Sequence, residues 1–403
     1  MDADVIIIGG GISGSVLALG LGRRGRRVIV LERQPAPPRI DRPEILQSAA
    51  LEALDSLGVG RAVRERAAIP LEGIRIYRGD ERLLTVGRED FEAAHVAPLS
   101  TDPAATRALI TDAATATPGV ELLTGAEVTE ILRNGARPVG VAGRRNGEPF
   151  ELRAPLLIGD DGVRSVTRQR LEIPIALRIF PMEFITFGIE RPAEFEPNVA
   201  RVWVNPDALR RGLAAGLFVP LPGDRIAGVI LSPLGTWARS YEKSPETFWQ
   251  ALRALTPLAD VLRERLPFPG AFHRLQRPWG HARTYVTDGA ALIGDAAHPM
   301  SPVGGQGANA AIMDALVLAD VADRALAAGD LSRTRLAEYE RRRRPANRRS
   351  LAFTRRAVAG SRVGRLLPGL VAPILPGLLK RIDRRTRLKR GLLRQAATAF
   401  IGG

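Results

Sequence analysis

Asp4-Val5-Ile6-Ile7-Ile8-Gly9-Gly10-Gly11-Ile12-Ser13-Gly14 is the stretch that decides the fold. The apolar run Val5–Ile8 suits a central parallel strand buried on both faces. Behind it, glycines at 9, 11 and 14 stand at G-x-G-x-x-G spacing. Gly9 permits the tight turn, Gly11 lets the backbone approach a pyrophosphate, and Gly14 lets the next helix pack close to the strand. That helix, predicted over Ser13–Arg23 and ended by Gly25, aims its free amides and positive dipole end at the phosphates. A second strand, Val28–Leu31, delivers Glu32 at its tip, 18 residues beyond Gly14. A carboxylate there accepts hydrogen bonds from ribose hydroxyls and repels a 2′-phosphate. Arg33 beside it is placed to meet adenine or phosphate. The pattern predicts an α/β (α+β) chain built on a Rossmann-like βαβ unit that holds a dinucleotide. The loop alone does not separate FAD from NAD.

Two more buried strands end in acids. Pro155–Ile158 opens onto Gly159-Asp160-Asp161-Gly162-Val163-Arg164-Ser165-Val166-Thr167-Arg168, and Ala290–Ile293 feeds Gly294-Asp295-Ala296-Ala297-His298-Pro299. An Asp-Gly turn is common for purely structural reasons. The carboxyl ends of strands are nevertheless where open α/β sheets place ligands, and a strand-end Asp can hold a polyol through paired hydrogen bonds. Pro299 and Pro302 stiffen the following loop. Gly304, Gly305 and Gly307, with Gln306 and Asn309, expose backbone amides before a helix predicted over Ala308–Leu326, a natural seat for partial negative charge.

In this order and spacing the three segments resemble the aromatic-hydroxylase family of single-component FAD monooxygenases, the family of para-hydroxybenzoate hydroxylase and the ubiquinone-pathway hydroxylases. The resemblance covers roughly residues 1–345 at the level of motif order. It implies that Gly9, Gly11, Gly14 and Glu32, with Arg33, bind the ADP half of FAD. It implies that Asp161 links the pyrophosphate region to pyridine-nucleotide binding and that Asp295 holds the ribityl chain. Pro302, Gly304, Gly305, Gln306, Gly307 and Asn309 would line the isoalloxazine. Arg107, in Thr106-Arg107-Ala108-Leu109, is similar to a family arginine that touches the flavin; read without the family it is a solvated helix arginine. Arg42 opens Arg42-Pro43-Glu44-Ile45-Leu46-Gln47, where the family carries an arginine-containing loop near the flavin, and Glu44–Gln47 also looks like the corresponding stretch of squalene epoxidases. The implied chemistry is reduction of FAD by NADH or NADPH, addition of O2 to give a C4a-hydroperoxide, and transfer of its distal oxygen to a substrate by hydroxylation or epoxidation.

Composition narrows the alternatives. The 403-residue chain is 45% hydrophobic and carries a net charge of +15. From Arg341 onward there are 18 Lys and Arg against the single acid Asp383, so the first 340 residues sum to −2. The basicity belongs to a tail, and no zinc-finger, helix-turn-helix or aromatic stacking repeat accompanies it, which argues against nucleic acid. The absence of cysteine excludes disulfides, thiolate nucleophiles and thiolate metal sites, and the run Val5–Ile8 is too short for a secretory signal; a cytoplasmic location is expected. His95, His273, His281 and His298 form no short pair, so no metal is expected. No second G-x-G-x-x-G follows a strand, so reductant visits transiently rather than from a dedicated domain. The paired tryptophans and lysine of flavin halogenases are also missing.

The partition read from the pattern is a discontinuous FAD-binding domain (1–70, 96–170 and 281–345), a mixed-sheet substrate domain (71–95 and 171–280), and a basic, apolar helical segment (346–403). Met182–Ile189, Val202–Val204 and Leu213–Val219 read as strands of the second sheet. Phe184, Trp203 and Phe218 are its candidate pocket walls, with ordinary core packing as the alternative. No catalytic base is assigned: His298 sits inside the flavin motif, and His95, Tyr77 and Glu183 carry no pattern of their own. The main helix is expected to end at Arg341–Arg344. Leu366–Leu379, with Pro368, Pro373 and Pro376, then precedes the basic stretch Lys380–Arg394. It is too short to cross a bilayer, which needs ~20 residues. It can instead lie on the inner face of a membrane or fold back over the protein's own surface. Three readings stay open: a monooxygenase of a lipophilic aromatic or quinol-type compound or a squalene-epoxidase-like epoxidase; an FAD-dependent reductase of isoprenoid double bonds; and a membrane-bound electron carrier.

Overall fold

The computed structural model describes residues 1–36, 42–366 and 368–398; at 206, 207, 357, 361–366, 368–373 and 395–398 it describes the backbone alone. Six strands form the first sheet: β1 (Val5–Ile8), β2 (Val28–Glu32), β3 (Val120–Thr124), β4 (Leu156–Gly159), β5 (Val286–Thr287) and β6 (Ala290–Leu292). Their order is β5-β6-β4-β1-β2-β3, parallel except for the edge hairpin of β5 and β6. β1 lies at the centre, every residue buried, as its unbroken apolar run predicts. Helix α1 (Ile12–Gly22) is buried from Ser13 to its end, with apolar contacts all round rather than on one stripe. α2 (Pro103–Thr115) is capped by Asp102, whose carboxylate accepts from the amides of Ala104 and Ala105. α3 (Gly307–Ala327) packs beside α1 and completes the main core. It begins one residue from its predicted start.

Seven strands form the second sheet, in the order His273–Leu275, Met182–Glu190, Arg225–Pro233, Ala215–Leu221, Val199–Trp203, Gly73–Arg78, Glu81–Gly87. Strand alternation gives it two faces. Ile185, Phe187, Trp203, Phe218, Ile226 and Ile230 pack into a core with the helices Pro245–Leu255 and Ala259–Arg265. Phe184 faces the other way, into a cluster with Met300, Ala310 and Leu351. That second face looks toward the loop ahead of α3.

The main helix does not end at Arg341–Arg344. α4 runs from Arg333 to Leu366 through Pro345. An interior proline costs ~3 kcal/mol. Burial of Ala346, Asn347, Ser350, Leu351, Thr354 and Val358 beyond it offsets that cost. α5 (Pro368–Asp383) and α6 (Thr386–Thr398) then fold back onto the hairpin of the second sheet, where Leu379, Ile382 and Leu393 pack against Leu84, Val86 and Phe91. Residues 399–403 of the tail lie outside the described residues. Among the described residues, no helix is long and apolar enough to cross a membrane.

Candidate cofactor and substrate site

Four strand ends meet at one crevice. The Gly9 amide donates to Leu31 O, Asp160 N to Ile8 O, and Ile293 N to Gly159 O, so β2, β1, β4 and β6 finish side by side. The sheet's order reverses across β1, and such a switch point is where doubly wound folds bind ligands. Gly9 has φ +112°, and a Cβ there would stand 2.2 Å from Asp160 O; a Cβ on Gly14 would stand 2.2 Å from Gly9 O. The loop is therefore closed as tightly as backbone allows, leaving the first-turn amides of α1 without partners from the helix itself. Glu32 Oε2 accepts from Gly10 N at 3.1 Å and Oε1 from Gln34 N at 2.8 Å, which fixes the carboxylate at the loop's edge. Arg33 is exposed and has no hydrogen bond or ion pair among the described residues.

The acid at the phosphate loop is Asp160 rather than Asp161. Asp160 accepts from Ser13 Oγ at 2.5 Å and from Gly14 N at 2.7 Å. Asp161 Oδ2 turns back to Thr167, accepting from its amide at 2.8 Å and its hydroxyl at 3.0 Å. Burial pushes the Asp160 carboxyl well above its usual range despite the Ser13 and Gly14 bonds, and Asp161 and Asp295 add like charge. The protonated carboxyl is thereby favoured, and a dianionic pyrophosphate arriving at this loop favours it further. FAD binding by the native protein is expected to weaken as pH rises and this carboxyl ionises, and Asp160→Asn is expected to flatten that decline. Titration of the apoprotein with FAD at several pH values checks this; the same pH dependence in both proteins would contradict it.

Arg168, three residues after Ser165, ties the second motif to the third. Ser165 caps the short helix Val166–Arg170, and the buried Arg168 guanidinium donates to Ala296 O and Val163 O, each at 2.8 Å. The N-cap spacing was the signal available for it in the sequence. Arg277 had none. Its Nη1 lies 3.3 Å from Asp295 Oδ2, and it also faces Arg42, whose pKa is lowered by burial and then by Arg277. Arg107 is half-buried on α2 and has no hydrogen-bond or ion-pair partner among the described residues.

Side-chain oxygens of Glu44, Gln47, Thr106, Asp161 and Gln306 are buried without a partner among the described residues. Native proteins rarely strand such groups together. Acceptors of this kind suit the hydroxyl and ring N–H donors of FAD, and the glycine-loop amides suit its pyrophosphate, so the donor set fits the cofactor that the motifs imply. Gly304 (φ +89°) and Gly305 (φ +64°) are exposed, and Pro302 is half-buried beside them. A Cβ on Gly305 or Gly307 would meet nothing within 4 Å, so these positions border open space. Gln306 donates to Gly304 O at 2.6 Å. Asn309 is already spent on the chain: its Oδ1 accepts from Gln47 N, and its Nδ2 donates to Ile45 O and Gly305 O. It clips the Glu44–Gln47 segment to the loop instead of facing a ligand.

Behind the loop lies a buried polar network absent from the sequence reading. His298 pairs with Asp314, and Arg343 Nε donates to Asp314 Oδ1 at 2.8 Å; all three side chains are at most 2% exposed. Asn347 donates to the same oxygen at 3.1 Å and to Tyr285 Oη at 3.4 Å, and His281 bonds Tyr285. Burial works against the Asp314 charge, but His298 and Arg343 outweigh it and hold the carboxyl below its usual range. His298 is thus committed to a buried contact with Asp314 and is not a base open to substrate. Burial, followed by His298 and the nearby arginines, pushes His281 down to about 3 from 6.5. Its folded pKa lies below its unfolded one, so the unfolded chain takes up the proton first and stability falls as pH drops below about 6.5. Urea titrations are expected to show a slope of up to about 1.4 kcal/mol per pH unit in that window from this ring, reduced because it is only half-buried, and His281→Phe should remove it.

The pocket walls need correction. Trp203 stacks on Tyr77 at 5.6 Å and meets Phe218 edge-on at 5.2 Å, both on the sheet face that packs against its own helices. The strand's side-chain parity turns them away from the loop. Of the three candidates, Phe184 faces it. Leu217, Val229 and Leu231 share its face, half-buried, and Met300 and Val303 pack with Phe184, Val229 and Leu231 in one apolar cluster. Glu183, buried, accepts from Trp237 N at 2.8 Å, and His95 is exposed after the helix Arg88–Ala93. Neither belongs to this cluster.

A tight glycine loop, acids at three strand ends and an apolar sheet facing a proline-glycine loop suit a flavin-binding protein. Residues 2–354 match the family model described as an FAD binding domain, and the chain belongs to that family. The 6-methylpretetramide 4-monooxygenase of Streptomyces rimosus is 29% identical across 98% of this chain and 92% of its own length. The ubiquinone hydroxylase UbiL of Rhodospirillum rubrum is 27% identical across 98% and 89%. Among solved structures, pqsL of Pseudomonas aeruginosa, named as a probable FAD-dependent monooxygenase, superimposes with a TM-score of 0.74 at 26% identity, covering 89% of this chain and 96% of that one. This chain is an enzyme of the same class, an FAD-dependent monooxygenase, and its relatives favour neither the isoprenoid reductase nor the electron carrier.

Proposed function

We propose that the enzyme hydroxylates a lipophilic aromatic or quinol-type small molecule, using O2 and either NADH or NADPH as a transient reductant. The observation that carries this is the apolar sheet face of Phe184, Leu217, Val229 and Leu231, on which Met300 and Val303 of the proline-glycine loop pack. A wall of that kind accepts a flat, weakly polar ring and expels water, which keeps reactive oxygen from leaking as peroxide.

In this reading residues 1–70, 96–170 and 281–345 form the cofactor half and 71–95 and 171–280 the substrate half. Gly9 and Gly14 close the loop, and the amides of Gly11, Ile12 and Ser13 meet the FAD pyrophosphate, while Glu32 and Arg33 meet the adenosine. Asp295 holds the ribityl hydroxyls, with Arg277 fixing the carboxylate's rotamer. Arg42 and Arg107 face the flavin as cations. The amides of Gly304–Gly307 stabilise negative charge on the reduced ring. Asp161 connects the pyrophosphate region to the visiting nicotinamide. FAD, when bound, supplies two-electron exchange with the nicotinamide and the activation of O2. The basic tail brings the enzyme to the inner membrane face, where such a substrate dissolves.

The test is NAD(P)H oxidation by the holoenzyme with phenols, quinols, quinolones and polyenes, with products identified by mass spectrometry. Hydroxylated aromatic product is expected. Epoxide from polyenes alone would replace this reading with the squalene-epoxidase-like one.

A further inference from the structure

The two C-terminal helices divide their side chains between two sides. On the inner side, Leu379, Ile382 and Leu393 pack on Leu84, Val86 and Phe91. Lys380 pairs with Glu81, and Lys389 and Arg390 pair with Asp90 at 2.7 and 3.2 Å. Asp383 accepts from Thr85 N at 2.8 Å and Lys389 donates to Thr85 O at 2.9 Å, so the tail also satisfies backbone groups of the sheet's edge strand.

The outer side is different. Ile374 and Leu378, one turn apart on α5, are 57% and 49% exposed, and Leu388 and Leu392, one turn apart on α6, are each 44% exposed. Arg381, Arg384, Arg385 and Arg387 are exposed around them, and their side chains have no hydrogen bond or ion pair among the described residues. The tail's one acid, Asp383, points inward. Helical spacing separates each apolar pair from the inward residues Leu379, Ile382 and Leu393, so both pairs stand on the solvent side of the tail.

We propose that this outer surface of α5 and α6 docks, without spanning, on an anionic phospholipid bilayer. Apolar side chains that reach into the acyl boundary, ringed by arginines with long stems and charged tips, are what a headgroup layer accommodates. A protein partner would have to bring a matching set of carboxylates, whereas lipid phosphates are present at every point of the leaflet. The hairpin residues Ile74 and Ile76, against which the tail packs, lie in register with Ala200 and Val202 and so share the sheet face that carries Leu217 and Phe184. Docking through the tail therefore sets the substrate side of the sheet next to the bilayer. The purpose of this arrangement rests on the proposed lipophilic substrate; the binding itself does not.

Co-sedimentation of the full-length holoenzyme with vesicles of phosphatidylcholine alone, or mixed with phosphatidylglycerol, tests it. Binding to the mixed vesicles that weakens with added salt is expected. Serine at Arg381, Arg384, Arg385 and Arg387 together should lower the partition coefficient by roughly 100-fold or more. Leu378→Ser with Leu392→Ser should lower it at least about tenfold. These positions are solvent-facing, so circular dichroism and the flavin spectrum should not change. Equal binding to both vesicle types, binding that survives both sets of substitutions, or no vesicle binding at all would overturn the proposal. Turnover of a water-soluble phenol, measured without vesicles, keeps the two claims apart: vesicle binding without turnover leaves the docking surface standing and sinks the substrate reading, and turnover without vesicle binding does the reverse.

Discussion

Replacing Arg343 by Met is expected to destabilise the folded protein by about 3–5 kcal/mol near neutral pH. The reason is the Asp314 carboxylate, fully buried and neutralised by His298 and Arg343. Removing the guanidinium leaves a charge in a low-dielectric site with only His298 and Asn347 as side-chain partners. The sign of the pH effect follows. In the native protein the Asp314 carboxyl sits below its ordinary range, so its contribution is present above the unfolded carboxyl pKa and is lost as pH falls through the folded value. The difference between native and variant is therefore largest at neutral pH and shrinks in acid. Urea unfolding at two pH values measures it. Adding Asp314→Asn to Arg343→Met should recover part of the loss, because the orphaned charge is gone; no recovery would show that packing, not charge, dominates.

Gly14→Val should abolish practical FAD binding. A Cβ at this position would fall 2.2 Å from Gly9 O and 2.9 Å from Asp160 Oδ2, and the first contact is backbone on backbone, so no side chain can swing aside to relieve it. The loop must open. Two amide bonds to phosphate at ~1.5–3 kcal/mol each then lose their geometry, which weakens FAD binding by at least roughly 100-fold. Equilibrium titration of apoprotein followed by flavin fluorescence reads this directly. Retained affinity would mean that the pyrophosphate does not sit on this loop.

The cofactor half was legible because its signals are local. An apolar run, three glycines and an acid at fixed spacing name a strand, a turn, a helix and a strand tip without knowledge of anything distant, and a crevice at the ends of these strands followed from stacking such units, although which of Asp160 and Asp161 faces the loop did not. Phe184, Trp203 and Phe218 show where local signals stop. Alternation marks each as belonging to one side of a strand, but which side meets the loop depends on how the sheet docks, and two of the three fell on the far face. Arg277, Asp314 and Arg343 are further cases. Arg277 reaches Asp295 across 18 residues, and Arg343 reaches Asp314 across 29. Only the placing of Asp314 between Ile312-Met313 and Ala315-Leu316, an apolar stretch of α3, hinted at the second pair. The tail was readable in composition, but its proline inside α4 concealed that burial beyond it keeps the helix going.

Turnover under isotopically labelled dioxygen, with NAD(P)H consumption and product mass followed together, tests the monooxygenase assignment most directly. One labelled oxygen atom in the product for each NAD(P)H consumed, with a lipophilic aromatic or quinol-type substrate, is the expected result. Bound flavin that is reduced and reoxidised while the product gains hydrogen or nothing, and no label, would contradict it.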